Sequence, residues 1–178
     1  NDVAAFARGR SADPGSESLA LWQHLHEAGG GGVTTIAMAG LDLALWDAAA
    51  RERGTSLTGF LGGQRRSARA YGSGVNLHYP IDDLVAQARR WVDAGFDAVK
   101  VKVGKPDVAE DLDRMRAVRE VLGPDRELMI DANQRWDLDR ATRNLEVLAE
   151  VAPAWIEEPL RADDLAGHIA LSERLAAT

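Results

Sequence analysis

The sequence has no cysteine among its 178 residues, which excludes a disulfide framework and any metal site built on thiolates. It has only four histidines, and none has a second histidine at metal-ligand spacing. Basic residues are in the minority, since 21 Lys and Arg against 28 Asp and Glu give a formal net charge of −7. This charge argues against a nucleic-acid-binding surface.

Long apolar segments and targeting signals are also lacking. No apolar run approaches the roughly 18 residues that cross a bilayer, and the first residues of the sequence predict no signal peptide. The four glycines at 29–32 follow no strand and precede no Gly-Lys-Ser/Thr sequence, so they indicate a turn and not a phosphate loop. These absences favour a soluble, cytoplasmic protein with neither a membrane nor a nucleic acid as its partner.

The two parts of the chain have different patterns. Residues 1–66 predict helices at about 16–27 and at 35–53, the second one ended by Gly54. After residue 66, an apolar strand followed by an amphipathic helix recurs about four times. The predicted strands are residues 68–74, 97–103, 127–131 and 154–157, and the helices between and after them begin at Ile81, Asp107, Asp137 and Asp163. This alternation predicts an α/β fold with a parallel sheet covered by helices.

Lys100 and Lys102 alternate with valines in the second predicted strand. Such a pattern also describes an antiparallel strand with one solvated face, but the strand–helix alternation argues against that interpretation. If the lysine face points into a closed barrel, each ammonium group lowers the pKa of the other. A lysine with a lowered pKa acts as a base near neutral pH, so this strand predicts proton abstraction.

Carboxylates end the next two predicted strands. Asp131 ends the third strand, and Glu157 and Glu158 end the fourth. In α/β barrels the carboxyl ends of the strands line the mouth of the active site, and Mg²⁺ prefers oxygen ligands of this kind. A metal beside a lysine base suits removal of a proton next to a carboxylate, because the metal stabilises the enolate while lysine takes the proton.

Four stretches of the sequence resemble the enolase superfamily, within its mandelate racemase and muconate lactonizing enzyme family. Residues 41–47 (LDLALWD) with 60–63 (FLGG) resemble the end of the capping domain of that family. Residues 99–102 (VKVK), 130–134 (IDANQ) and 155–159 (WIEEP) resemble three successive strands of its barrel. The resemblance implies that residues 67–178 are the first half of a TIM-type (β/α) barrel. Residues 1–66 would be the C-terminal helical part of an α+β capping domain.

The resemblance also implies a role for individual residues. Lys102 would take the α-proton, while Lys100 would lower its pKa and touch the substrate carboxylate. Asp131 and Glu157 would bind Mg²⁺.

Four further residues are weaker candidates. Asn133 and Glu158 would be polar neighbours of the metal and the lysines. Ser73 and Asn76 follow the first predicted strand and are candidate substrate contacts, although their position in a polar loop explains them equally well.

The implied reaction is Mg²⁺-dependent abstraction of the proton α to a carboxylate through an enolate. The sequence Glu157-Glu158-Pro159 is more similar to the mandelate racemase subgroup than to the cycloisomerases, and acid-sugar dehydratases are the main members of that subgroup. We therefore expect a dehydratase first, a racemase or epimerase second and a cycloisomerase third. A non-catalytic half-barrel that serves in assembly or binding is the alternative of a different class. The expected partners are a small-molecule carboxylate, such as a sugar acid or other hydroxy acid, and further copies in a homo-oligomer.

The resemblance places some functional groups beyond this chain. A full barrel takes about 250 residues, and only four strand–helix units follow residue 66. The third metal carboxylate would lie on the fifth strand, and the second acid/base group on later strands. We therefore expect the chain to be the middle of a longer enzyme.

Overall fold

The computed structural model of the chain describes residues 2–65 and 67–176. The chain divides into two compact units, Asn1–Ala68 and Arg69–Thr178. Arg66, at which the sequence placed the end of the first part, lies outside the described residues, as do Asn1, Ala177 and Thr178.

The first unit is helical. Its elements are α1 (Asp2–Ala7), α2 (Pro14–Leu25), a short 3₁₀ turn (His26–Ala28), α3 (Gly32–Glu52) and α4 (Leu57–Phe60). The carboxylate of Asp13 accepts a hydrogen bond from the backbone N–H of Ser16 at 2.9 Å, which caps the start of α2. The sequence predicted the two long helices to within a few residues and missed α1 and α4, because helices this short have little periodicity to detect.

Helix α3 is more apolar than the sequence analysis recognised. By length and composition it is long and apolar enough to cross a membrane, and no other helix among residues 2–65 and 67–176 meets this test. One such helix near an N-terminus is weak evidence for a membrane span. The helix also contains Asp42, whose carboxylate accepts a hydrogen bond from the Ser18 hydroxyl of α2.

The second unit is a sheet of four parallel strands with helices between and after them. In chain order its elements are β1 (Gly72–Ser73), α5 (Ile81–Asp93), β2 (Ala98–Lys102), α6 (Val108–Leu122), β3 (Glu127–Asp131), α7 (Leu138–Leu148), a 3₁₀ turn (Ala149–Val151), β4 (Trp155–Glu157) and α8 (Leu165–Ala176). The strands lie in the order β1-β2-β3-β4, so each pairs with its neighbour in sequence. The prediction of an α/β fold with four strand–helix units is confirmed.

The predicted boundaries differ most at the two ends of this sheet. Strand β1 has two residues where the sequence predicted 68–74. Helix α8 begins at Leu165, and the Asp164 carboxylate accepts the hydrogen bond of the Gly167 N–H at 2.9 Å. Asp163, the predicted start, instead pairs with Arg161 at 3.1 Å. Two adjacent aspartates are equally good helix caps by sequence, so only the local geometry distinguishes them.

Strands β2 and β3 divide their side chains between two faces. The apolar side chains of one face are completely buried in the core that these strands form with the helices: Val99, Val101, Leu128 and Ile130. Successive side chains of a strand point to opposite faces, so Lys100 and Lys102 lie on the face opposite the valines. The hydrophobic core therefore determines which way the lysines project.

Replacement of Leu128 by alanine tests this core. Leu128 is completely buried in β3, so Leu128→Ala should lower the free energy of unfolding by about 2–5 kcal/mol. The matched control is Ile169→Ala in α8, where the side chain is 53% exposed and the expected change is below about 0.5 kcal/mol. Urea denaturation followed by circular dichroism measures both values. Equal losses in the two variants would contradict the position of β3 in the core.

Candidate active site

Three charged side chains stand in one row across β2, β3 and β4. In the register of the sheet, Lys102 pairs with Asp131 and Asp131 pairs with Glu157. Paired residues of parallel strands point to the same face, so these three side chains project together at the carboxyl end of the sheet. Lys100 precedes Lys102 by two residues and lies on the same face. The structure thus brings together the two lysines predicted for proton abstraction and the two carboxylates predicted to bind the metal.

Short ion pairs connect these four residues. Lys102 Nζ donates a hydrogen bond to Asp131 Oδ2 at 2.5 Å. Lys100 Nζ donates to both carboxylate oxygens of Glu157, at 2.8 and 2.7 Å, and lies 3.6 Å from Asp131 Oδ2. The Asp131 side chain is 2% exposed and that of Glu157 is 33% exposed. Asp131 is therefore the buried centre of the cluster, and Glu157 is its more accessible edge.

The expectation that the two lysines lower each other's pKa is wrong for Lys100. Burial does lower the pKa of Lys100, but the hydrogen bond and negative charge of Glu157 and the contact with Tyr71 together outweigh it. The pKa of Lys100 is therefore raised above its ordinary value. The physical reason is that the neighbouring strands supply carboxylates within hydrogen-bonding distance, which stabilise the charged amine.

The two carboxylates have the chemistry that a magnesium site requires. Asp131 and Glu157 supply oxygen atoms from adjacent strands, and Mg²⁺ prefers such ligands. The second oxygen of Asp131 accepts a hydrogen bond from the N–H of Asn133 at 2.9 Å, which fixes the orientation of the carboxylate. Within residues 2–65 and 67–176, no three Asp, Glu or His side chains come close enough to hold a metal ion together. Asp131 and Glu157 would therefore supply part of a ligand set.

Asn133 and Glu158 meet in the loops that follow β3 and β4. The Asn133 amide donates to one oxygen of the Glu158 carboxylate at 3.2 Å, and the Gln134 amide donates to the other at 3.0 Å. All three residues have positive φ angles, which are uncommon for residues other than glycine. These bonds join the two loops, and the part played by Gln134 was not predicted. That Asn133 and Glu158 lie near the metal stays a prediction.

Ser73 and Asn76 have different environments. Ser73 is exposed, and its pairing with Lys100 places it on the face of the lysines, so its contact with substrate stays a prediction. Asn76 is completely buried. Its amide nitrogen donates to Gln87 at 2.9 Å, and its amide oxygen accepts from the backbone N–H of Lys102 at 3.0 Å. The structure therefore gives the Asn76 side chain contacts inside the protein and no surface for a substrate.

Tyr71 is a member of the site that the sequence analysis missed. The Nζ atom of Lys100 lies 5.4 Å from the centroid of the Tyr71 ring, a distance at which the ring attracts the ammonium group. The available signal was strand periodicity, because Tyr71 precedes Ser73 by two residues and side chains two apart share a face.

Comparison with protein families gives a match to each unit of the chain. Residues 83–178 match the family described as enolase C-terminal domain-like. Residues 3–62 match the N-terminal domain of the mandelate racemase/muconate lactonizing enzyme family.

The names of the similar proteins describe three different reactions. The chain is 44% identical over 148 residues to a 3,6-anhydro-alpha-L-galactonate cycloisomerase of Streptomyces coelicolor, covering 83% of this chain and 41% of the relative. Among solved structures, it resembles a racemase of Streptomyces coelicolor with bound magnesium, with a TM-score of 0.92 and 39% identity over 98% of this chain and 52% of that one. It also resembles an L-talarate dehydratase of Polaromonas in complex with Mg and L-glucarate, with a TM-score of 0.85 and 39% identity over 97% and 49% of the two chains.

Two conclusions follow from these likenesses. The prediction of a partial TIM-type barrel is confirmed, because the four-stranded unit matches part of such a barrel in these structures. The chain spans about half the length of the proteins that it matches.

Proposed function

Because this chain belongs to the mandelate racemase/muconate lactonizing enzyme family of the enolase superfamily, we propose that the protein abstracts the proton α to a carboxylate in a Mg²⁺-dependent reaction. The row of Lys102, Asp131 and Glu157 across three strands is the observation that carries this proposal. It holds an amine beside two oxygen ligands on one face of a rigid sheet. A base and a cation site this close together suit the removal of a carbon-bound proton.

Lys102 is the proposed base. Its Nζ atom is held by Asp131, and its side chain is 16% exposed, so it is both oriented and accessible from the carboxyl end of the strands. In its neutral form the amine takes the α-proton of the substrate. The Lys100 ammonium adds a second positive charge on the same face and attracts the substrate carboxylate.

Asp131 and Glu157 are the proposed magnesium ligands. When bound, Mg²⁺ would stabilise the negative charge that the substrate carboxylate gains as the proton leaves. The Asn133 N–H keeps the Asp131 carboxylate oriented, as partners behind metal ligands commonly do. The contacts with the two lysines hold both carboxylates on the face of the sheet that the base uses.

Among the reactions of the family, we propose dehydration of a sugar acid. After Lys102 removes the α-proton, the electrons of the broken C–H bond form a double bond to the β-carbon, whose hydroxyl leaves as water with a proton from an acid elsewhere in the protein. The likeness to the L-talarate dehydratase, which holds Mg and L-glucarate, supports this choice. The alternatives are racemisation or epimerisation, and cycloisomerisation, supported by the racemase and the cycloisomerase among the similar proteins.

Proton exchange in D₂O tests the proposal and separates its alternatives. The complete natural protein that contains these residues is incubated with Mg²⁺ and a panel of sugar acids, and the products are followed by proton NMR and mass spectrometry. A dehydratase removes the α-proton with loss of water, a racemase exchanges it with inversion, and a cycloisomerase opens or closes a ring at constant mass. Removal of Mg²⁺ by a chelator is expected to stop each of these. Absence of any reaction or exchange with every acid would overturn the proposal in favour of a binding or assembly role.

We also propose that the protein is cytoplasmic, that its substrate is a small carboxylate and that it forms a homo-oligomer. The similar proteins support the substrate class, since one of them binds L-glucarate. Static light scattering of the complete protein tests the assembly, and the mass of a single chain would contradict it.

A further inference from the structure

The backbone of Lys102 lies beyond the residues of β2 that pair with β1. Strand β1 pairs only with Val99 and Lys100. On the β3 side, the N–H of Val103 donates to the backbone oxygen of Asp131 at 2.9 Å. Successive N–H groups of a strand point to opposite edges, so the N–H of Lys102 points toward the β1 side, where no strand residue remains to accept it.

Asn76 supplies the missing acceptor. Its side-chain oxygen accepts the hydrogen bond from the Lys102 N–H at 3.0 Å. This side chain therefore continues the ladder of backbone hydrogen bonds by one step at the end of the strand. A buried N–H without a partner is costly, so the bond restricts where the backbone of Lys102 lies.

Two helices hold Asn76 in place. The amide nitrogen of Asn76 donates to the side chain of Gln87 in α5 at 2.9 Å. Its backbone oxygen accepts from Arg114 in α6 at 2.8 Å, and the same guanidinium donates to the backbone oxygen of Tyr79 at 2.8 Å. Arg114 is only 3% exposed, and Asn76 is completely buried. Because both anchors belong to packed helices, the position of the Asn76 oxygen is set by the fold.

We propose that Asn76 is a positioning residue for proton abstraction, holding the backbone of Lys102 so that its amine stays in the row with Asp131 and Glu157. This inference rests on the proposed function of Lys102 as the base. The Nζ atom of Lys102 is fixed at Asp131, 2.5 Å from Oδ2, so a shift of the Lys102 backbone would lengthen this contact or change the side-chain torsions. A displacement of about 1 Å at a reacting group is enough to slow a reaction about 100-fold.

Amide hydrogen exchange tests the contact without any need for a substrate. In Asn76→Ala, exchange of the Lys102 amide should accelerate about tenfold, because that N–H loses its acceptor. The matched control is Asn144→Ala, which truncates another buried asparagine of the same unit, on α7. In this control we expect the exchange rate of the Lys102 amide to change by less than about twofold. An unchanged exchange rate at Lys102 in Asn76→Ala would overturn the inference.

Steady-state kinetics of the complete protein tests the consequence for catalysis. Asn76→Ala should lower kcat for α-proton exchange by about 10- to 100-fold, with KM changed by less than about threefold, because Asn76 does not touch substrate. Asn76→Asp keeps the acceptor oxygen and should recover kcat to within about fivefold of the natural protein. A rise in KM at constant kcat, or an equal loss of kcat in Asn144→Ala, would overturn the positioning role.

A third variant covers the case in which Asn76→Ala fails to fold. Gln87 is half-buried, and Gln87→Met removes the acceptor that anchors the Asn76 amide while keeping a side chain of similar length. It should lower kcat by about three- to tenfold, and an unchanged kcat would count against the inference. If the natural protein itself exchanges no α-proton, the proposed function fails. The exchange rate of the Lys102 amide still decides whether Asn76 holds that backbone.

Discussion

Lys102→Ala is expected to abolish exchange of the substrate α-proton with D₂O, a loss of about 10⁴-fold in the complete protein. The reason is that the variant lacks the amine that lies 2.5 Å from Asp131 in the row of the site. Lys100 does not replace it, because its Nζ atom is directed at Glu157, 2.7 and 2.8 Å from the two carboxylate oxygens, and not at the position of the Lys102 amine. Proton NMR of the substrate during incubation in D₂O measures the exchange rate.

The control for this variant is Lys105→Ala. Lys105 lies just beyond β2 and approaches Glu110 at 3.8 Å, so its removal deletes an ammonium group outside the row. In this control the rate of α-proton exchange should stay within about threefold of the rate of the natural protein. Mg²⁺ affinity should not fall in Lys102→Ala, because the lysine ammonium competes with a cation for the same Asp131 oxygen. Retained proton exchange in Lys102→Ala would remove Lys102 as the base.

Glu157→Gln is expected to weaken Mg²⁺ binding by at least about 100-fold. Removal of a residue that only supports a metal ligand weakens binding by about 10- to 100-fold, and removal of a ligand itself should cost at least as much as the upper value. The variant keeps the size of the side chain and removes its charge. Glu157 is the more accessible of the two paired carboxylates, at 33% exposure of its side chain. Titration calorimetry of the complete protein with MgCl₂ measures the dissociation constant directly.

The adjacent residue provides the control for the metal site. The Glu158 carboxylate accepts hydrogen bonds from the amides of Asn133 and Gln134 instead of from the lysines. Glu158→Gln should therefore weaken Mg²⁺ binding by no more than about tenfold. Equal effects of the two substitutions, or an unchanged affinity in Glu157→Gln, would show that the metal lies elsewhere.

Much of the fold was predictable because its signals are local. Helices α6 and α7 begin after Asp107 and Asp137, as the sequence predicted, and both carboxylates accept the expected backbone hydrogen bonds. Strand β3 has the predicted bounds, since a short apolar run between turn residues is a strong strand pattern. Strand β1 was predicted too long, because pairing with a neighbour and not composition decides where a strand ends.

Part of the site was also predictable from local signals, namely side-chain alternation and the residues at strand ends. Side-chain alternation in β2 placed both lysines on one face, and Asp131 and Glu157 ended the next two strands. Tyr71 and Gln134 were missed because their contacts with Lys100 and Glu158 join residues far apart in the chain. The raised pKa of Lys100 was missed for the same reason, since Glu157 approaches it only through the pairing of the strands.

The sequence by itself determined the α/β alternation, the face on which the lysines project and the oxygen chemistry available for a metal. These properties depend on periodicity and on residue type, which act over a few neighbouring positions. Only the tertiary structure decided that Lys102, Asp131 and Glu157 share one row and that Asn76 faces the Lys102 backbone instead of a substrate. Register and burial arise from packing between distant segments, so a local pattern leaves several arrangements open and the fold selects one.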